Sequence, residues 1–154
     1  GRMNIDDPNM SIDELHLKQE SLLVWLNESF QVFREEPIHS LAKLNSPQLV
    51  FKILQEIDRT VFNETELPSN FSDESDSSKL ISMSHLINEI KFFYKEHIQC
   101  EIDPNIVAKF TVRDIVKDIP EENLVTQLSE WLLGIAVSSE KKTYYVDLLK
   151  TLKE

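Results

Sequence analysis

Glycine is almost missing from this chain: of 154 residues, only Gly1 and Gly134 are glycine. Tight hairpins and phosphate-cradling loops need positive φ, which glycine adopts without steric cost. A sheet of short hairpins and a glycine-rich nucleotide loop are both disfavoured, leaving helices and short connections. At 41% hydrophobic residues the chain can bury one sizeable core, so a single domain is expected.

Helical periodicity fills that expectation. Leu15, Leu22, Leu26, Phe30 and Phe33 recur at spacings of seven, four, four and three, which predicts a helix from Ser11 to Phe33 with Leu23 and Trp25 widening its buried stripe. Ser11 followed by Glu14 fits a capping box, and Pro37 ends the segment or fixes the turn after it. Ser46-Pro47 starts a second helix, a side-chain cap followed by proline at the first helical position. Its buried face is Val50, Ile53, Leu54 and Ile57; it ends near Asp58, and Val61 and Phe62 tuck a short turn onto the core.

From Asn63 to Ser78 the chain turns polar and acidic and reads as a mobile loop. A helix over Lys79 to Cys100 follows, with Met83, Leu86, Ile87, Ile90, Phe93 and Tyr94 at helical spacing. Phe92 cannot share a face with Phe93, so one of them reaches another helix or the surface. Asp103-Pro104 reads as a loop, Thr111 as the cap of a short helix, and Pro120-Glu121-Glu122 as the start of a longer one. Leu124, Leu128, Trp131 and Ile135 form that helix's stripe, and Gly134 and Ala136 permit close approach of a neighbour. After a break at Ser138-Ser139, a last helix over Glu140 to Lys153 carries Tyr145, Leu148, Leu149 and Leu152 on one side, flanked by Thr143 and Val146. No glycine or proline stops it, which suits a head that continues into a coiled coil.

The formal net charge of −11 disfavours nucleic acid, anionic lipid and acidic filaments as partners. Lys141, Lys142 and Lys150 are interleaved with Glu140, Asp147 and Glu154 and read as a solvated helix face. The single cysteine, Cys100, excludes an internal disulfide, and no apolar run is long enough to span a bilayer. No catalytic motif is present, His97 and Cys100 supply two metal ligands where zinc needs at least three, and no cofactor is expected. The acidic run Ser72 to Ser78 lacks the glycine and distal glutamate of a calcium loop.

Three blocks carry a family resemblance: LLVWLNESF (Leu22 to Phe30), LVFKILQEIDRTVFNE (Leu49 to Glu64) and LLGIAVSSEKKTYYVDLLKTL (Leu132 to Leu152). They resemble the amino-terminal domain of the Hook family of microtubule-motor adaptors. That family has a tryptophan-bearing first helix, an aliphatic helix ending in a D-x-x-x-F turn, and a closing LILGCAV-type helix followed by E-x-K-x-x-Y. Here the closing match is Leu133 to Val137, then Glu140, Lys142 and Tyr145.

The resemblance implies an all-α, calponin-homology-like helical bundle with an additional C-terminal helix. Residues 1–10 would be a tag remnant and flexible N-terminus, 11–138 the bundle, and 139–154 an eighth helix leading toward a coiled coil beyond Glu154. It implies a non-enzymatic dynein-adaptor head that binds an amphipathic helix of the dynein light intermediate chain between the last two helices. The full-length protein would be a homodimer through the coiled coil, cytoplasmic and cytoskeleton-associated at centrosome, spindle or nuclear periphery, with no nucleic-acid partner and no membrane insertion by this domain.

By the same resemblance the family's glutamine position falls on Thr143, its aliphatic positions on Val146 and Leu149, and its intervening glutamine on Asp147; Thr143, Asp147 and Lys150 depart from the family pattern. Leu133 and Ile135 would supply the other wall. At helical spacing, Val146 and Leu149 fit ordinary core packing equally well. The alternative functions are a calponin-homology module that binds microtubules or actin directly, and a spindle or kinetochore scaffold.

Overall fold

The computed structural model describes residues 12–69, 71, 75–139 and 141–152. Among them are seven α-helices and no strand: α1 (Ile12–Ser29), α2 (Pro47–Ile57), α3 (Asp76–Phe93), α4 (Pro104–Lys109), α5 (Val112–Val116), α6 (Glu122–Ser138) and α7 (Lys142–Leu152). The fold is all-α. The helix that the resemblance numbers eighth is α7. The capping box at Ser11, the N-terminal segment 1–10 and the centre of the acidic run, 72–74, lie outside the described residues.

The first helix is shorter than its stripe predicts. α1 ends at Ser29 because Phe30 is extended (φ −116°, ψ 135°), and Gln31–Phe33 winds as a 3-10 turn. The cause is distant in sequence: the Glu56 carboxylate accepts the Gln31 and Val32 N–H groups at 2.8 and 2.9 Å. Those charge-assisted bonds replace the intrahelical ones, while Phe30 and Phe33 still enter the core at 0% and 1% exposure. Asn27 then clamps the returning chain, accepting from the Ile38 N–H (3.0 Å) and donating to its carbonyl (2.9 Å).

α2 follows its signals closely. The Ser46 hydroxyl accepts from Leu49 N–H, Pro47 occupies the first turn, and Asp58 ends the helix. Asp58 Oδ1 accepts the N–H groups of Thr60 and Val61, and the turn they form delivers fully buried Phe62 to the core. α3 begins ahead of Lys79, since Ser75 caps it through Ser78 N–H, so the last residues of the expected loop are helical.

α3 ends unusually for a chain so poor in glycine. Tyr94–Ile98 forms a π turn, and Gln99 takes the left-handed conformation at φ 58° that a glycine would take at no cost. Asp103-Pro104, read as a loop, is instead the cap and first position of α4; the Asp103 carboxylate accepts from Asn105 N–H at 2.9 Å. Thr111 sits at the start of α5 without a side-chain capping bond, and α6 starts at Glu122, two residues after buried Pro120.

α6 is the hub. It packs against α1, α2, α3, α5 and α7, and Leu128, Leu132, Ile135 and Ala136 are fully buried on it. A helix covered on so many sides must also hide polar groups. Buried Thr126 and Ser129 satisfy their hydroxyls by donating to the carbonyls four residues back, Glu122 and Val125. Periodicity points to α1 and α3 as the central helices, and α6 outranks both because it is covered on more of its circumference.

Candidate functional site: the α6–α7 surface

The break between α6 and α7 is built by one side chain. Ser139 Oγ donates to the Ala136 carbonyl (2.8 Å) and accepts the Lys141 N–H (3.2 Å), closing α6 and opening α7. Lys141 Nζ crosses to the Glu56 carbonyl at the end of α2 (2.7 Å), placing a cation against the negative end of that helix. One residue of α2, Glu56, therefore ties together the exit of α1 and the entry of α7.

α7 lies on α1 and α6. Its anchor is Tyr145, 2% exposed, with ring centroids 6.2 Å from Trp25 and 5.5 Å from Phe30. Burial pushes the Tyr145 phenol up to about 12, the Glu56 and Tyr144 charges adding to it. α1 is also held to α6, by the Lys18–Glu130 ion pair at 2.9 Å and by Gln19 donating to Thr126 at 3.0 Å.

The residues expected at the site separate by depth. Thr143, Asp147 and Lys150 are exposed, and their spacing of four and three puts them on one outward face of α7. Val146 and Leu149 are half-buried on α7, as are Leu133 and Val137 on α6. Ile135 is fully buried in the core, so it stands behind the surface and has no side chain to offer a partner. Tyr144, absent from the expected set, is 47% exposed beside Tyr145; its position next to the stripe residue Tyr145 was the available signal.

The described histidines of α3 and the π turn, and the cysteine after it, lie outside α6 and α7. His85 is paired with Glu89 at 2.9 Å, and the His97 ring stacks on Phe93 at 4.6 Å. Cys100 is an exposed free thiol. Among the described residues, no group of three His, Cys, Asp or Glu could hold a metal ion, and no helix is long and apolar enough to cross a membrane.

A family model described as the HOOK domain matches residues 17–154. Protein Hook homolog 1 of Danio rerio is 25% identical over 140 residues, and Protein Hook homolog 1 of Homo sapiens is 26% identical over 138. Each alignment covers 88% of this chain and 18% of the relative, so the chain spans less than a fifth of the length of these proteins. No solved structure matches.

Proposed function

The chain belongs to the HOOK-domain family, and from that premise we propose that it is a non-enzymatic, cytoskeleton-associated adaptor head that receives an amphipathic helix of the dynein light intermediate chain on α6 and α7. The supporting observation is the depth profile of α7. Val146 and Leu149 are half-buried aliphatic residues bordered by the exposed Thr143, Asp147 and Lys150. A helix laid along that border would bury the aliphatic pair while its polar flank meets Asp147 and Lys150. Leu133 extends the apolar surface onto α6, and Ile135 supports it from within.

The remainder of the full-length protein would dimerise through a coiled coil and carry cargo in the cytoplasm, at centrosome, spindle or nuclear periphery. With a net charge of −11 the head itself has little attraction for acidic filaments, so no salt-sensitive pelleting with microtubules or actin is expected.

Titration with the light-intermediate-chain tail helix tests the proposal. Leu149→Asp should weaken binding at least about tenfold, as expected for a central apolar anchor. Lys150→Glu, at an exposed position, should change affinity with no change in melting temperature. Undiminished binding by both variants, or no binding by the unmodified chain, would overturn the assignment.

A further inference from the structure

A second surface lies on α3, the π turn and α4, with no lining residue from α1, α6 or α7. Two depressions of about 490 and 520 Å³ flank Phe92 and share Phe92 and Asn88 between them. Phe92 is 59% exposed whereas Phe93 is 2% exposed, so the pair divides between surface and core. Ile102 and Val107 give the first depression an apolar wall, and Val61 does the same for the second, over the buried ring of Phe62.

The charged groups of the first depression come from α3, the π turn and the segment before α4. Lys91 and Lys95 line the first depression one helical turn apart, and among the described residues neither ammonium group has an ion-pair partner. Glu101 is the single acid lining the first depression, and Glu89, 2.9 Å from His85 Nε2, lines the second. In a chain of net charge −11, the first depression sets two cations against one acid beside an exposed phenyl ring.

We propose that this groove docks an acidic peptide segment of a partner protein, with one large apolar side chain packed on Phe92 and carboxylates directed at Lys91 and Lys95. An extended anionic surface such as a membrane would meet the repulsion of the whole acidic chain. A short segment keeps its charge within roughly a Debye length, about 8 Å, of the two lysines. Glu101 on the facing wall selects against a segment that is acidic along its entire length. The groove is open and its cations sit on flexible stems, which fits a peptide better than an enclosed small molecule.

The test is selection of displayed random short peptides on the full chain, followed by titration of the enriched peptides at low and high salt. Enriched sequences should place Asp or Glu beside Leu, Phe or Trp. Phe92→Ala should weaken them at least about tenfold, and joint Lys91→Glu and Lys95→Glu replacement should do the same and flatten the salt dependence. Leu149→Asp should leave this binding unchanged, which separates it from the α6–α7 surface. All these positions except Leu149 are on the rim or exposed; should Phe92→Ala fail to fold, the lysine variant decides. The proposal is overturned by absence of enrichment, by enrichment of neutral or basic peptides, or by insensitivity to these changes. It is equally overturned if Phe92→Ala instead dissolves a dimer of the chain, or abolishes binding to phosphatidylserine vesicles that peptides do not match.

Discussion

The Tyr94 hydroxyl rests against the bare backbone of Gly134: it donates to the Trp131 carbonyl at 2.9 Å, and a Cβ on Gly134 would overlap its oxygen. The one glycine within the described helices is thus the socket for a phenol arriving from the end of α3. Burial pushes that phenol well above its ordinary range, with the Cys100 and Glu130 charges adding to the shift.

Gly134→Ala should therefore destabilise the fold although alanine is the better helix former by about 1 kcal/mol. Overpacking a hydrogen-bonded, mostly buried ring costs about 1–3 kcal/mol. In a Tyr94→Phe background the obstructing oxygen is gone, so the same substitution should cost less. Urea unfolding of the four proteins in this cycle checks the coupling; strictly additive effects would show that the contact is unimportant.

Stability should fall at alkaline pH. The phenols of Tyr94 and Tyr145 both titrate above their ordinary value in the folded state, whereas unfolded phenols ionise near about 10. Below about 10 both states hold these protons and the contribution is complete. As pH rises from there toward about 12, the unfolded chain binds fewer protons than the native one, and stability is lost. Melting temperature measured across that range should decline, and less steeply for Tyr145→Phe.

Gln99→Gly should stabilise the chain. Gln99 holds φ 58° at the end of the π turn, and relieving a left-handed side-chain conformation recovers about 1–2 kcal/mol, of which the greater freedom of glycine in the unfolded state removes about 1. A net gain of a few tenths to about 1 kcal/mol in denaturant unfolding is the expected outcome; destabilisation would mean that the glutamine side chain stabilises the turn.

Glu56→Ala should cost about 1–3 kcal/mol, the range for leaving donors without a charged acceptor. The Gln31 and Val32 N–H groups lose their carboxylate, while the bond from Lys141 to the Glu56 backbone carbonyl persists. Hydrogen exchange should quicken at Gln31 and Val32 more than in α7. The reverse pattern would place the weight of Glu56 on the α7 side.

The HOOK-domain membership and the helical architecture were legible in the chain because both are written locally. Ser46-Pro47 capped a helix as read, Asp58 ended it, and the stripe residues Met83, Leu86, Ile90 and Phe93 entered the core. Gly134 was readable as a point of close approach, though not that the approaching group is a tyrosine hydroxyl. Asp103-Pro104 was misjudged because the same pair serves as a loop or as cap and first turn, and six residues of α4 are too few for periodicity to choose.

Depth at the candidate surface belongs to a different level. On α7, Tyr145, Val146 and Leu149 share comparable apolar character, yet Tyr145 is buried among Trp25 and Phe30 while the other two remain half-exposed. Ile135 and Leu133 differ in the same way on α6.

The sequence by itself determined that long helices form on the segments that became α1, α2, α3, α6 and α7, because caps, prolines and apolar spacing act within a few residues. Tertiary structure alone decided where α1 stops, that α6 becomes the hub, and which apolar side chains are left for a partner. Those outcomes depend on which groups arrive from far along the chain: the Glu56 carboxylate at Gln31, the Tyr94 hydroxyl at Gly134, and the Trp25 ring at Tyr145. Burial is a property of the neighbours, and periodicity within one helix cannot name them.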